Sequence, residues 1–292
     1  MDSPAIPDQP ILMLAPHPLD IDFGWYPDGM PVVTGKAFLL PQYELLLRPR
    51  GLEDFFAAMF MVDALAERGA KASHLVLPFL PGARQDRLNL TGDWLFTAKS
   101  IAREINLRGV AAVTCFDPHS DVMPALIDRC NVIEAKSVFP WPAPPLVVYE
   151  GVIAPDGGAV KRAHAIASKL GVPTFHAWKP RDVSDGSITG FGCQDLPDGA
   201  YLVVDDICDG GGTFAGLAEA IRTKNPHTTL DLWVSHGIFS KGVEPLAAYR
   251  HIVTTDSVLR DPLTLRPSDL TRIRTIPICA DLIEVSRKIQ YT

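Results

Sequence analysis

Residues 201–214 read Tyr-Leu-Val-Val-Asp-Asp-Ile-Cys-Asp-Gly-Gly-Gly-Thr-Phe and predict a buried strand, a tight turn and the start of a helix. The helical spacing then continues until Pro226 ends it. Backbone N–H groups in a glycine-rich turn at a helix N-terminus favour an anion such as phosphate. Asp205 and Asp206 could hold the two hydroxyls of a ribose whose 5-phosphate lies in the turn 209–213. The alternative is a tight turn with a solvated acidic tip, and glycines alone leave both interpretations open.

Two features favour the phosphate-binding interpretation: the adjacent aspartates and the threonine that closes the turn. With them, the pattern resembles the phosphoribosyl-pyrophosphate (PRPP) loop of type I phosphoribosyltransferases and of ribose-phosphate pyrophosphokinases. The resemblance implies that the ribose phosphate is bound by Asp205, Asp206, Asp209, Gly210, Gly211, Gly212 and Thr213.

The composition is that of a globular protein long enough for two domains. The chain has 292 residues, of which 47% are apolar and 21% are charged. Its net charge of −7, without a basic run, argues against nucleic acid and membrane surfaces as main partners. An acidic protein that binds phosphates needs backbone amides, a few placed cations and a divalent metal ion. We therefore expect a divalent metal ion.

The cysteines and the N-terminus favour a cytoplasmic protein. Its five cysteines are dispersed without a C-x-x-C pair, which suits a reducing compartment. The first ten residues lack the basic and apolar regions of a signal peptide. The most apolar predicted helix, 55–65, is short and contains Asp63, so we do not expect it to span a bilayer.

Predicted strands and helices alternate along the whole chain, which indicates an α/β fold with mainly parallel sheets. A proline-rich patch at 140–145 is typical of a linker and suggests domains at 1–143 and 144–292. In both halves, polar and ionisable residues follow apolar strands, at the edge where open α/β sheets bind ligands. The predicted strands include 74–79, 110–116, 146–152 and 174–179, and the predicted helices include 51–68, 97–107 and 159–170.

The loop 79–87 reads Phe-Leu-Pro-Gly-Ala-Arg-Gln-Asp-Arg and follows one of these strands. Arginines bind phosphate oxygens bidentately and stack on base planes, although a solvated charged loop is the commoner explanation of such a run. Together with the 201–214 segment, the loop closely resembles the ATP-binding loop of ribose-phosphate pyrophosphokinases. The resemblance implies that Arg84, Gln85, Asp86 and Arg87 bind ATP. Leu88 stands where that family usually has a lysine.

Further motifs strengthen the same resemblance. Asp117-Pro118-His119 resembles an Asp-Leu-His motif whose histidine binds magnesium on ATP, and Asp156 matches an aspartate of the same metal site. Alone, such a histidine is more often structural, and Asp156-Gly-Gly is only a turn before a helix. The resemblance implies a Mg²⁺ site with His119 and Asp156 as ligands.

The last two motifs concern catalysis and the neighbouring subunit. Lys179 and Arg181 match the catalytic lysine and arginine at the base of a flexible loop, where two cations would stabilise a transferring group. Tyr26 and Asp28 match an N-terminal loop that reaches the ATP site of a neighbouring subunit. Met30 replaces the adenine-contacting glutamate of that loop. The resemblance therefore implies a homodimer or larger homo-oligomer.

Taken together, the resemblance implies two phosphoribosyltransferase-like domains, an N-terminal one for ATP and a C-terminal one for ribose phosphate. The implied reaction transfers the β,γ-diphosphoryl group of ATP to the 1-hydroxyl of ribose 5-phosphate, giving PRPP and AMP. Gly210 replaces a threonine usual in this family, which predicts open space beside the 5-phosphate. One alternative is therefore the same transfer to an esterified ribose 5-phosphate such as ADP-ribose. The others are a salvage phosphoribosyltransferase and a non-catalytic PRPP-synthetase-associated regulatory protein.

Overall fold

The computed structural model describes residues 11–14, 21–35, 42–88, 95–139, 147–180, 189–259, 269 and 271–290. The chain divides into two compact units by its internal contacts. Unit 1 comprises Met1–Glu134, Ser257–Leu259 and Pro277–Thr292, and unit 2 comprises Ala135–Asp256 and Arg260–Ile276.

Unit 1 is built on a five-stranded sheet in the order β1-β4-β5-β6-β7. Strand β1 pairs with β4 antiparallel, and the other neighbours are parallel. Strands β2 and β3 form a separate antiparallel hairpin. The elements are β1 (Ile11–Leu14), β2 (Ile21–Trp25), β3 (Pro31–Gly35), β4 (Gln42–Leu47), α1 (Leu52–Glu67), β5 (Lys71–Leu77), α2 (Thr97–Leu107), β6 (Val113–Phe116), α3 (Val122–Leu126) and β7 (Cys130–Ile133).

Helix α1 shows how the apolar pattern determines the packing of unit 1. Phe55, Met59, Val62 and Leu65 recur at helical spacing, and all four side chains are buried in the core of this unit. Asp63, the polar residue between them, is exposed. The predicted helix 51–68 is therefore confirmed.

Unit 2 is built on a seven-stranded sheet in the order β10-β9-β8-β11-β12-β13-β14. All neighbours are parallel except the antiparallel edge pair β9 and β10. The elements are α4 (Ala135–Val138), β8 (Gly151–Ala154), a 3₁₀ turn (Gly157–Ala159), α5 (Val160–Leu170), β9 (Thr174–Trp178), β10 (Gly192–Cys193), β11 (Gly199–Cys208), α6 (Gly212–Lys224), β12 (Thr228–Gly237), β13 (Ile252–Thr255) and β14 (Ile273–Ile276).

The central strand β11 is covered on both faces, which explains its continuous apolar run. Tyr201 and Val203 belong to the same apolar cluster as Leu217 of α6. Leu202 and Val204, which alternate with them, belong to a second cluster with residues of α5. The expected α/β architecture with mainly parallel sheets is thus confirmed in both units.

Two boundaries differ from the sequence-based expectation. The last helix, α7 (Cys279–Gln290), contacts β5 and β6 and so belongs to unit 1, whereas the sequence suggested a second domain running from 144 to 292. Its buried side chains include Cys279, Leu282 and Ile283. Strand β8 begins at Gly151, later than the expected 146. Across the described ranges, no helix is both long and apolar enough to cross a membrane.

A buried carboxylate, Asp231 of β12, attaches the segments before β8 and before β13 to the sheet. It accepts hydrogen bonds from the Tyr149 hydroxyl at 2.9 Å and from Arg250 Nη2 at 2.6 Å. The His251 backbone N–H donates a further bond at 3.0 Å. The Asp231 side chain is only 1% exposed, so these bonds replace the water that it loses on folding.

We predict that Asp231→Ala lowers the free energy of unfolding by about 3 kcal/mol, because the Tyr149 hydroxyl, the Arg250 guanidinium and the His251 N–H lose their shared acceptor. Urea denaturation followed by circular dichroism measures the change. Asp195→Asn is the matched control, since its fully exposed carboxylate makes only a 3.7 Å ion pair with Lys224. Equal stability of the two variants would contradict this account of Asp231.

Candidate functional site

The parallel order β9-β8-β11-β12 collects polar residues of unit 2 at one edge of its sheet. Asp156 follows the end of β8, and Lys179 follows the end of β9. Asp205 and Asp206 lie in the last four residues of β11. Because neighbouring parallel strands end at the same edge, residues distant in sequence become neighbours.

Lys179 and Asp156 form an ion pair with 2.6 Å between Nζ and Oδ2. The other carboxylate oxygen of Asp156 accepts from the backbone N–H groups of Gly158 at 2.9 Å and Ala159 at 3.2 Å. Partial burial acts to raise the pKa of Asp156, but Lys179 and the two N–H donors outweigh it and hold this pKa below its ordinary value. Asp156 is therefore an anion held beside the predicted catalytic lysine.

The pair Asp205 and Asp206 concentrates negative charge at the end of β11. One Asp205 carboxylate oxygen accepts from the Asp206 backbone N–H at 2.9 Å and lies 3.8 Å from Arg162 Nη1. Burial raises the pKa of Asp205 well above its usual range, and the neighbouring charge of Asp206 adds to the increase. Arg162 lies on α5, and its guanidinium is a cation held beside Asp205.

The glycine turn ends in an uncapped helix N-terminus. Gly211 has a left-handed backbone with φ of 76°, and it occupies the N-cap position of α6. Having no side chain, Gly211 cannot accept hydrogen bonds from the first-turn N–H groups of the helix. Thr213 is in that first turn and is half-buried. This arrangement can receive an anion through backbone donors.

The loop 238–246, which the sequence analysis did not identify, packs against the turn 209–213 and the end of β11. The N–H groups of Ile238 and Phe239 bond to the Cys208 carbonyl at 2.9 and 3.1 Å. The Ser240 hydroxyl bonds to the Asp209 carboxylate. The position of this loop directly after β12, at the same sheet edge, is the signal that could have revealed it.

The expected open space beside Gly210 is not found. A Cβ atom at Gly210 would lie 3.2 Å from Cδ and 3.4 Å from Cε of Lys241. The space that a missing threonine side chain would vacate is therefore occupied by the stem of a lysine. Sequence reasoning failed here because a turn residue and its spatial neighbour lie on different loops.

In unit 1, the loop 84–87 and the segment after β6 meet through Asp86. This carboxylate is 3% exposed, receives bonds from Arg87 Nε at 2.7 Å and accepts the Ser120 hydroxyl at 2.6 Å. The Arg87 hydrogen bond holds the pKa of Asp86 below its ordinary value against the opposing effect of burial. Asp86 is thus placed to hold the loop in shape, whereas Arg84 and Arg87 are exposed.

Gln85 and the Asp117-Pro118-His119 segment extend this loop region. The Gln85 side chain accepts the Thr97 hydroxyl at the start of α2, and its carbonyl accepts the Ala98 N–H at 3.2 Å. Asp117 follows β6 with a positive φ of 37°, rare for a non-glycine residue, and His119 beyond it is exposed. Since β5 and β6 are parallel neighbours, both loops emerge at one edge of the sheet.

The remaining predicted residues are Tyr26, Asp28 and Arg181. Tyr26 and Asp28 lie in the exposed turn between β2 and β3, where the Asp28 carboxylate accepts the Met30 N–H at 3.1 Å. Arg181 lies outside the described residues. No group of three or more His, Cys, Asp or Glu side chains that could hold a metal is found in the part of the chain that the structure describes.

Comparison with curated proteins finds many relatives of one type. The chain is 28% identical over 244 residues to the ribose-phosphate pyrophosphokinase of Bradyrhizobium diazoefficiens, covering 76% of this chain and 70% of the relative. It is 30% identical over 210 residues to that of Agrobacterium fabrum, covering 68% of this chain and 66% of the relative. No model of a known protein family matches.

Among solved structures, the phosphoribosylpyrophosphate synthetase of Mycobacterium smegmatis has the same fold. The TM-score is 0.79 at 20% identity, covering 94% of this chain and 91% of that one. The fold is thus that of two phosphoribosyltransferase-like α/β domains, as the sequence predicted. With relatives of one name aligned over most of its length, the chain belongs to the ribose-phosphate pyrophosphokinase family.

Proposed function

We propose that this enzyme transfers the β,γ-diphosphoryl group of ATP to the 1-hydroxyl of ribose 5-phosphate, with PRPP and AMP as products. The observation that carries the proposal is the edge of unit 2, where Lys179, the Asp205–Asp206 pair and the uncapped start of α6 follow neighbouring strands. Relatives across most of the chain are named for this reaction type.

The acceptor would bind at this edge. Asp205 and Asp206 would accept hydrogen bonds from the ribose 2- and 3-hydroxyls, and the turn 209–213 would bind the 5-phosphate through backbone N–H groups. Strong acceptors beside strong donors suit a sugar phosphate, which is neutral and hydroxylated at one end and anionic at the other. The 1-hydroxyl, which must attack, remains free of both contacts.

ATP would bind to the loop 84–87 of unit 1. The exposed guanidiniums of Arg84 and Arg87 suit phosphate oxygens or an adenine plane, and Gln85 offers hydrogen bonds. Asp86 would act by positioning Arg87 through their bond at 2.7 Å. Tyr26 and Asp28 would contribute from a second copy of the chain, which makes a homo-oligomer part of the proposal.

Magnesium fits the donors that the chain offers. This ion typically binds one or two protein groups together with phosphate oxygens and water, so a large cluster of protein ligands is not needed. His119 and the anionic Asp156 would supply the protein ligands. When bound, the ion would neutralise charge on the transferring phosphates.

Chemistry would then depend on position and charge. A bond forms between the ribose 1-oxygen and the β-phosphorus, and the bond from that phosphorus to the oxygen shared with the α-phosphate breaks, which releases AMP. Lys179 and Arg181 would stabilise negative charge that develops on the transferring group. The ion pair with Asp156 holds the Lys179 ammonium in place before the substrates arrive.

The function is tested by incubating the protein with ATP, Mg²⁺ and ribose 5-phosphate and quantifying AMP and PRPP by chromatography. We expect both products in equal amounts. ADP-ribose in place of ribose 5-phosphate is the comparison arm. AMP release with ADP-ribose and none with ribose 5-phosphate would overturn the proposed acceptor, and release with neither would overturn the activity.

We predict that Lys179→Ala lowers kcat about 100- to 1,000-fold, because a charge aimed at the transferring group is lost. ATP binding, measured by calorimetry, should persist. Lys224→Ala is the control, since this lysine lies at the far end of α6, where it contacts the Cys193 carbonyl and the Asp195 carboxylate. Unchanged turnover of Lys179→Ala would refute the role of Lys179.

We predict that Asp205→Asn stabilises the unliganded protein yet weakens acceptor binding. Because burial and Asp206 raise the folded-state pKa of Asp205, its ionised form opposes folding at neutral pH, and stability is lost as pH rises through that pKa. The variant should melt at a higher temperature at pH 7, with a smaller difference at acidic pH. The KM for ribose 5-phosphate should rise about 10- to 100-fold. A lower melting temperature would contradict the predicted gain in stability. An unchanged KM would contradict the predicted role of Asp205 in acceptor binding.

A further inference from the structure

We propose that Lys241 determines acceptor specificity by binding the terminal phosphate of the sugar with its ammonium group. The inference rests on the proposed function and concerns a residue outside all the motifs described above. Its basis is the contact between Lys241 and Gly210. Gly210 belongs to the turn 209–213 proposed to bind the 5-phosphate, called the phosphate turn below.

The Lys241 stem lies directly against the turn. A Cβ at Gly210 would lie 3.2, 3.4 and 3.5 Å from Cδ, Cε and Cγ of Lys241, so three consecutive methylenes cover this glycine. The ammonium is one bond beyond Cε and therefore beside the same turn. Gly210 itself offers no side-chain donor, so Lys241 supplies the cation that this part of the turn lacks.

The backbone holds Lys241 in this place. Residues 239–242 form a turn closed by a 2.9 Å bond from the Gly242 N–H to the Phe239 carbonyl, with Ser240 and Lys241 at its corner. Phe239 is fully buried and anchors one end. Ser240 is bonded to Asp209, so successive corner residues contact successive residues of the phosphate turn.

Charge explains why a cation is useful there. Asp205 and Asp206 precede the turn on β11 and Asp209 begins it, and carboxylates at these positions would repel a phosphate dianion. Among the described residues, the Lys241 ammonium has no ion-pair partner, so it is available to a ligand. It offsets part of the repulsion that the acidic sugar-binding pair creates.

The same geometry favours a terminal phosphate over an esterified one. A phosphomonoester carries close to two negative charges at neutral pH, whereas a phosphodiester carries one, so the ammonium attracts the monoester more strongly. A substituent on the phosphate would also compete for space with the Lys241 stem. The pair Gly210 and Lys241 therefore selects ribose 5-phosphate against compounds such as ADP-ribose.

The first experiment compares Lys241→Gln and Lys241→Arg with the wild-type protein in the PRPP assay. We expect Lys241→Gln to raise the KM for ribose 5-phosphate about tenfold or more, with little change in kcat or in the KM for ATP. Lys241→Arg, which keeps the charge, should restore most of the affinity. Lys224→Gln, at the other end of α6, is the matched control and should behave as wild type.

The second experiment is a double-mutant cycle with Gly210→Thr. A threonine at position 210 should displace the Lys241 stem, so this variant alone should lose affinity for ribose 5-phosphate. In Gly210→Thr/Lys241→Ala the hydroxyl can occupy the vacated space and act as a donor. The double variant should therefore bind ribose 5-phosphate more tightly than the product of the two single effects implies.

The outcomes separate this inference from the proposed function. If the wild type makes PRPP but Lys241→Gln has an unchanged KM for ribose 5-phosphate, the role of Lys241 is overturned and the activity stands. If the wild type makes no PRPP, calorimetric titration with ribose 5-phosphate decides: weaker binding by Lys241→Gln supports the role. Equal binding, or no binding by the wild type, overturns it.

Discussion

Parallel pairing of β8 with β9 and with β11 is the constraint on which the candidate site of unit 2 depends. It brings the ends of three strands to one edge, and each strand end carries a charged residue there. Asp156, Lys179 and Asp205 are separated by more than twenty residues in sequence, yet their strands are neighbours. The apolar interiors of these strands hold the pairing because both faces of β11 are buried. Packing of the core thereby positions the charged side chains of the candidate site.

Two cations at this edge lie beside carboxylates before any ligand binds. Lys179 is paired with Asp156, and Arg162 lies beside Asp205. A protein with a net charge of −7 cannot attract phosphates through its overall field. It depends on a few cations held in defined positions and on backbone N–H groups, whose dipoles are fixed by the fold. Pairing also keeps Lys179 ordered, which reduces the entropy lost on substrate binding.

The glycine turn 209–213 is supported by a second loop, residues 238–246. The glycines let the backbone turn tightly, and Gly211 needs the left-handed conformation that glycine adopts readily. At position 210 the reason for a glycine is different, since the Lys241 side chain covers this residue and would meet a Cβ atom there. A lysine side chain from one loop thus fills the space beside a glycine of the other.

Patterns in the sequence predict the α/β class, the helix at 51–68, the strand–turn–helix that begins at residue 201 and the acidic pair at the end of its strand. These are local patterns, because apolar periodicity, glycine turns and helix ends act over a few residues. Contacts in the folded chain, by contrast, attach α7 to unit 1, bury Asp86 as a support of its loop and place the Lys241 side chain over Gly210. Each of these depends on contacts between segments far apart in the chain. Side-chain packing between such segments leaves no periodic signal in a single sequence.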